Sequence, residues 1–336
     1  MTTAPVHEAD ALSGRWKQRF VRESAALGEE AITSDVVLVL EERFAPYVRS
    51  VTCFNRAEEG GTHGRAIGAD IEIHLITPDG SRHLGYRVQA KLAKQTRARQ
   101  EPRFDYDLNY VIGAERHQQI DALIASAGSC IPLYFLYNGP DAVQEILSAE
   151  QILGNRLYRR WLVHLGCCCQ HDMDLNTALT IAAVPARLAR RQARLSPTKL
   201  VLSASLAWAI YPWSCLFHQG EPVMPSRRAA EAANQRLSLA RLMDVQRHRF
   251  LELAQIVEQF MENGVEFADD LRTLAETFTR DSSVPDDVAR LWRGEFDYDL
   301  DELARARPSP QGDGGADLNE VGDMHLRSLL IIEVEP

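Results

Sequence analysis

Apolar residues recur at helical spacing early in the chain. Between Gly14 and Glu42, Leu27, Ile32, Val36, Val39 and Leu40 fall near one helical face. Gly28 interrupts the stretch and predicts two helices, because glycine weakens a helix interior. Val51 to Asn55 is a short strand candidate, and a polar loop, Arg56 to Gly68, follows. The period then changes to two. Ile71, Ile73 and Leu75 alternate with Asp70, Glu72 and His74, the pattern of a half-buried strand. Pro78, Asp79 and Gly80 supply a turn. His83 to Leu92 alternates again, with Tyr86, Val88, Ala90 and Leu92 on one side and Arg87, Gln89 and Lys91 on the other. The two runs predict a β-hairpin.

Beyond the hairpin, Ala114 to Ala127 reads as a helix with Ile120, Leu123 and Ile124 on one face. Ile131 to Tyr137 is a continuous apolar run and predicts a buried strand. Val143 to Leu165 and Ala178 to Leu195 read as helices. Leu200 to Phe217 fits a buried helix or strand, broken by Pro212. From Ser226 onward strand formers become scarce. Arg227 to Met261, Asp269 to Phe278 and Asp286 to Trp292 predict an all-helical C-terminal part. Pro308 to Gly315 is low in complexity and reads as a linker. Leu329 to Val334 reads as a last strand that can return to the main sheet.

Composition narrows the class. A chain of 336 residues fits two domains at roughly 100–200 residues each. Its 45% hydrophobic and 25% charged residues exclude a mainly disordered chain, a collagen and a disulfide miniprotein. No apolar run reaches the roughly 18 residues of a membrane helix, so no membrane partner is expected. Met1 to Asp10 carries Glu8 and Asp10 and no apolar signal core, which points to the cytoplasm. Cys53, Cys130, Cys167, Cys168, Cys169 and Cys215 are then expected to stay reduced.

The net charge of −10 argues against a nucleic-acid coating protein, because phosphate contacts come from Lys and Arg. Two basic runs stand out against it. Lys91, Lys94, Arg97, Arg99 and Arg103 are opposed only by Glu101, and Arg187, Arg190, Arg191, Arg194 and Lys199 by no acid. A solvated face is the plain reading of either.

The hairpin can be given a register. A turn centred between Asp79 and Gly80 pairs residues whose numbers sum to 159, so Thr77 faces Arg82 and Asp70 faces Gln89. Opposed residues project from one face, which places Asp70 and Glu72 beside Gln89 and Lys91. A slip of one residue would reverse this.

Gly68-Ala69-Asp70-Ile71-Glu72, a hairpin and Gln89-Ala90-Lys91 together resemble the core of the PD-(D/E)xK nuclease superfamily, in its Gln-x-Lys variant. In that superfamily a helix bearing a Glu precedes the hairpin, and a helix and a strand follow it. Glu29 and Glu30, Ala114–Ala127 and Ile131–Tyr137 stand in that order here, so the likeness covers roughly residues 20–140. The chain also resembles a bacterial family of uncharacterised proteins. That likeness rests on Gly28-Glu29-Glu30-Ala31-Ile32-Thr33, Glu58-Glu59, Pro132-Leu133-Tyr134-Phe135-Leu136-Tyr137-Asn138 and Pro212-Trp213-Ser214-Cys215.

The nuclease resemblance implies an α/β fold: a restriction-endonuclease-like central mixed β-sheet flanked by helices, followed by the helical C-terminal part. With the pattern read above, this gives a nuclease-like domain over residues 1–220 with its core at about 20–140, a helical region over 221–306, a linker over 307–319 and a final strand within 320–336. The resemblance also implies a Mg²⁺-dependent endonuclease, with Mn²⁺ able to substitute, that hydrolyses phosphodiester bonds. DNA is the favoured substrate and defence against foreign DNA the implied role. Asp70, the Gln89 amide oxygen and the Ala90 main-chain carbonyl would bind the metal, a hard cation that prefers oxygen. Lys91 would orient the attacking water. Glu30, or its neighbour Glu29, would hold metal-bound water, and Glu72 could compensate for Gln89 where many members carry Glu. Lys94, Arg97, Arg99 and Arg103 would grip phosphates. Cutting both strands needs two sites, which points to a homodimer.

Nearby residues have plainer roles to weigh. Tyr106 and Tyr110 could stack on bases, although packing is the commoner role. One of Gln118 and Gln119 could face the site. Structural zinc is not expected, because His164, Cys167, Cys169, His171, Cys215 and His218 fit no familiar ligand spacing. No Gly-x-x-x-x-Gly-Lys, Gly-x-Ser-x-Gly or His-Glu-x-x-His motif occurs, so ATP hydrolysis and α/β-hydrolase chemistry lack support. Two alternatives to the enzyme stay open. One is an inactive nuclease-like fold that binds nucleic acid or protein. The other is an interaction protein built on the C-terminal helices.

Overall fold

The computed structural model describes residues 5–22, 28–43, 68–77, 79–96, 103–108, 111–112, 117–152, 175–195, 200–201, 209–218, 238–260, 264–278, 284, 286, 288–289 and 329–333. The expected strand at Val51–Asn55, Tyr110, the Cys167–Cys169 run and the expected linker lie outside them.

The first amphipathic stretch forms two helices, α1 (Pro5–Arg22) and α2 (Glu29–Arg43). The Gly28 carbonyl accepts the Ala31 N–H at 3.2 Å, which starts α2 just past the glycine. The period-two runs form the antiparallel pair β1 (Ile71–Ile76) and β2 (His83–Leu92). Ile71 pairs with Val88 and Ile76 with His83, the register expected from the turn. The turn is held by Asp79, whose carboxylate accepts from Thr77 Oγ1 at 2.6 Å and from Ser81 N at 3.0 Å.

β3 (Lys94–Thr96) and β4 (Arg103–Tyr106) leave the end of β2 as an antiparallel pair. β5 (Val111–Ile112) pairs with β6 (His117–Gln118), which leads into α3 (Gln119–Ser126). β7 (Ile131–Tyr137) is buried throughout, as its continuous apolar run predicts. α4 (Pro140–Ile152) and α5 (Leu175–Ala178) follow.

One expectation fails here. The helix expected over Ala178–Leu195 begins with a strand, β8 (Ile181–Pro185), and only Ala186–Leu195 is helical, as α6. Ala182 and Ala183 favour a helix in isolation, but β8 pairs antiparallel with β7 and is fully buried, so tertiary packing decides.

β9 (Leu200–Val201) joins β4, and β10 (Tyr211–Pro212) joins β8. A 3₁₀ turn covers Trp213–Phe217. The helical C-terminal part contains α7 (Leu239–Phe260) and α8 (Gly264–Thr277). β11 (Leu329–Glu333) runs parallel to β1 at the sheet edge.

The main sheet has six strands in the order β10-β8-β7-β2-β1-β11. It is mixed, since β1–β11 and β2–β7 are parallel and the other pairs antiparallel. The architecture is therefore α/β, with helices on both faces. On one face Phe135 meets Trp213 edge-on at 5.8 Å. Trp213 Nε1 donates to the Ala9 carbonyl and to Ser13 Oγ, both at 3.2 Å, and so ties the 3₁₀ turn to α1. α3 lies over the opposite face, and Arg190 joins it to α6 through Asp121 at 2.6 Å. α7 reaches the sheet domain through Gln246 Nε2, which donates to the Cys215 carbonyl at 2.7 Å.

β1 corrects a second expectation. Its polar face is not solvated: all six residues are buried, with Glu72 and His74 only 6% and 1% exposed. Cys215 is disulfide-bonded, against the expectation of reduced thiols. No described helix is long and apolar enough to cross a membrane.

Candidate functional site

The predicted register brings Asp70 to Gln89 at the open end of the hairpin. The Asp70 N–H donates to the Val88 carbonyl at 2.8 Å, which continues the β1–β2 ladder by one residue. The Asp70 side chain turns back over β2. Its Oδ2 accepts from Ala90 N and from Gln89 Nε2, both at 2.7 Å. Gln89 Nε2 also lies 3.2 Å from the Ala90 carbonyl oxygen. A carboxylate, an amide and a main-chain carbonyl thus meet at one point, and the Gln89 amide nitrogen sits between the two oxygens.

α3 closes the site from above. Gln119 Nε2 donates to Gln89 Oε1 at 2.8 Å. Gln119 is buried and Gln118 exposed, which settles which of the two faces the site. This approach depends on Gly68. Its φ is +66°, and a Cβ there would lie 2.6 Å from the Gln119 carbonyl oxygen. Only glycine lets the chain enter β1 so close to α3.

α2 brings a carboxylate to the end of β2. Glu29 Oε2 accepts the Leu92 N–H at 2.9 Å, and Glu29 Oε1 lies 3.7 Å from Lys91 Nζ. The Lys91 side chain is 12% exposed and that of Glu29 31%. Glu30, the first choice from the sequence, is exposed on the next helical position, and its carbonyl accepts from Ser34 Oγ at 2.9 Å. Helical phase, not residue type, selects Glu29. Beneath them Tyr137 is buried, its hydroxyl 3.0 Å from Thr33 Oγ1 on α2. Burial, with Asp70 and Glu29 nearby, pushes the Tyr137 phenol far above its ordinary range.

Glu72 does not join this group, although it shares the face. Arg87, directly opposite it on β2, binds its Oε1 through both Nε and Nη2. Its Oε2 lies 3.3 Å from His74 Nε2, and His74 Nδ1 lies 2.6 Å from His83 Nε2. Burial raises the Glu72 carboxyl, but His74 and Arg87 outweigh it and the net shift is downward. Burial, then the charge of His74, holds His83 down to about 3. Nothing in the alternation of β1 distinguishes these polar residues from solvated ones. His83, one residue into β2, carried no signal of its own.

The basic segment after Lys91 is placed in part. Lys94 is exposed at the start of β3, and Arg103 lies across from Thr96 on β4. Arg97 and Arg99 lie outside the described residues. The segment thus leaves the site as an antiparallel strand pair at the end of β2. Tyr106 is buried and donates its hydroxyl hydrogen to Asn138 Oδ1, so it packs and is not presented to a ligand. Two members of the second basic run are paired within the chain. Arg190 binds Asp121 at 2.6 Å, and Arg191 binds Asp270 at 2.6 Å and also Glu266.

The donor set at Asp70 suits a hard divalent cation. Asp70, Gln89 and Ala90 offer oxygen only, as Mg²⁺ prefers. Gln89 points its nitrogen inward, so its part in such a site requires the amide to turn over. Gln119 must then release Gln89 Oε1 or turn with it.

Compared with known proteins, the chain matches no curated protein and no solved structure. Residues 6–309 match the model of a family of unknown function, DUF6615. The chain, with its Asp70–Gln89–Lys91–Glu29 group in the mixed sheet, belongs to that family.

Proposed function

We propose that the protein is a Mg²⁺-dependent nuclease of PD-(D/E)xK type that hydrolyses phosphodiester bonds of nucleic acid, with DNA the favoured substrate. The observation that carries this reading is the meeting of Asp70, Gln89, the Ala90 carbonyl, Lys91 and Glu29, drawn from three separate elements. The entry to β1, the far half of β2 and the start of α2 have no common structural need to place their polar groups together.

Each residue then has a distinct task. Asp70, Gln89 and Ala90 hold the metal, with Mn²⁺ able to replace Mg²⁺. Bound there, the ion would supply the charge that polarises a phosphodiester and lowers the pKa of a water. Lys91 brings a positive charge beside the phosphate and orients the attacking water. Glu29 fixes Lys91 and, through Leu92 N, the end of β2. Lys94 and the basic segment after it take up flanking phosphates. Defence against foreign DNA, a cytoplasmic setting and a homodimer that cuts both strands complete the proposal.

One observation favours the second reading, an inactive nuclease-like fold that binds nucleic acid. The Gln89 nitrogen already satisfies Asp70 without a metal. Incubating the protein with plasmid, linear duplex, single-stranded DNA and RNA, with Mg²⁺, Mn²⁺ or EDTA, separates the two. Metal-dependent cleavage of DNA supports the enzyme. Salt-dependent binding with no cleavage under any of these conditions supports the binding module.

A further inference from the structure

The group around Glu72 has no role in the proposed site. Three of its side chains converge as ligands do. A Glu72 carboxylate oxygen, a His74 ring nitrogen and Cys130 Sγ all lie within 4.8 Å of one another. All three residues are buried: Glu72 is 6%, His74 1% and Cys130 8% exposed. They come from two places in the chain, since Glu72 and His74 share a face of β1 and Cys130 immediately precedes β7.

The Glu72–His74 distance, long for a hydrogen bond between charged groups, also fits two ligands of one ion. A charge-assisted N–H···O contact runs about 2.7–2.9 Å, whereas Glu72 Oε2 and His74 Nε2 stand 3.3 Å apart. Bonds of about 2.0–2.1 Å to oxygen and nitrogen at a tetrahedral angle give an edge of about 3.3 Å. A thiolate at about 2.3 Å needs edges of about 3.6 Å, and Cys130 Sγ lies within 4.8 Å of both other ligand atoms.

The surroundings orient the ligands. Arg87 holds Glu72 Oε1 and leaves Oε2 to face inward. His74 Nδ1 lies 2.6 Å from His83 Nε2, and in the tautomer in which Nδ1 donates to His83 the His74 Nε2 lone pair is available to an ion. Gly85 makes the convergence possible. A Cβ there would lie 2.5 Å from Cys130 Sγ and 3.0 Å from His83 Cε1.

We propose that Glu72, His74 and Cys130 bind a zinc-type divalent ion inside the sheet, with His83 and Arg87 as positioning residues. Carboxylate, imidazole and thiolate together select a borderline metal such as Zn²⁺ or Co²⁺ over Mg²⁺. The ion joins β1 to the start of β7, independently of the Asp70 site. This goes beyond the expectation from the sequence, which weighed zinc only at other cysteines and histidines.

Metal analysis and cobalt substitution of the full chain test it. The purified protein should carry about one zinc per chain, and the Co²⁺ form should show a thiolate-to-cobalt charge-transfer band. Cys130→Ser should abolish the band while circular dichroism shows a folded chain. If Cys130→Ser does not fold, the triple variant Cys167→Ser, Cys168→Ser, Cys169→Ser decides, because it should keep the band. A protein that takes up no Co²⁺, a band that survives Cys130→Ser, or a band lost in the triple variant would overturn the proposal.

Discussion

Gln89 Nε2 donates to Asp70 Oδ2 at 2.7 Å, so two side chains of the proposed Mg²⁺ site are bound to each other. The amide works as a neutral stand-in for a cation. A carboxylate in its place would set two negative charges together. We therefore expect Gln89→Glu to lower the melting temperature in EDTA, because like charges and a lost donor both destabilise the pair. Mg²⁺ or Mn²⁺ should restore it, and raise it more than in the wild type. Thermal unfolding with and without metal measures both. Equal metal responses in the two proteins would exclude this residue as a ligand.

Glu29 and Glu30 are adjacent, yet only Glu29 reaches Lys91 and Leu92. Glu29→Ala should reduce cleavage by about 10²-fold, in the range of a lost positioning or acid–base group. Glu30→Ala should stay within about twofold of the wild type, as surface substitutions do. The opposite ranking would show that α2 sits one position differently during turnover.

Asp10 gives a pH prediction. Burial raises its carboxyl to about 6, and Ser214 offsets part of the shift. The folded state then keeps its proton where the unfolded chain has lost it. Stability therefore falls as pH rises from about 4 to about 6 and levels off above. The loss at neutral pH is about 3 kcal/mol, from roughly two pKa units at about 1.4 kcal/mol each. Asp10→Asn should remove this slope and raise stability at pH 7. Urea unfolding at pH 4, 5, 6 and 7 measures it, and a slope that survives the substitution contradicts the assignment.

Much of this was legible in the sequence, and the failures have physical causes. The hairpin register followed from turn chemistry, since Thr77 and Ser81 both bind Asp79 and fix where the chain reverses. β7 followed from an unbroken apolar run between turn residues. β8 was hidden because Ala182 and Ala183 carry no strand preference and need β7 to define them. The choice of Glu29 over Glu30 depends on helical phase to within one residue. The polar cluster on β1 was hidden for a different reason. Alternation shows which residues share a face, but not whether helices cover that face.

Arg87 and Glu72 form a buried ion pair, with side chains 16% and 8% exposed. Removing one partner leaves the other charge uncompensated. Arg87→Ala should cost about 3–5 kcal/mol of unfolding free energy. Denaturant unfolding measures this, and a cost under about 1 kcal/mol would mean that the pair is solvated.

In the proposed reaction Asp70 and Lys91 act on a phosphodiester. The most direct measurement is the Mg²⁺-dependent cleavage rate of supercoiled plasmid by the wild type, Asp70→Asn and Lys91→Ala, each confirmed as folded. The wild type should cleave the plasmid, EDTA should abolish this, and each variant should lose at least about 10²-fold. Cleavage that persists unchanged in folded Asp70→Asn and Lys91→Ala would contradict the proposal.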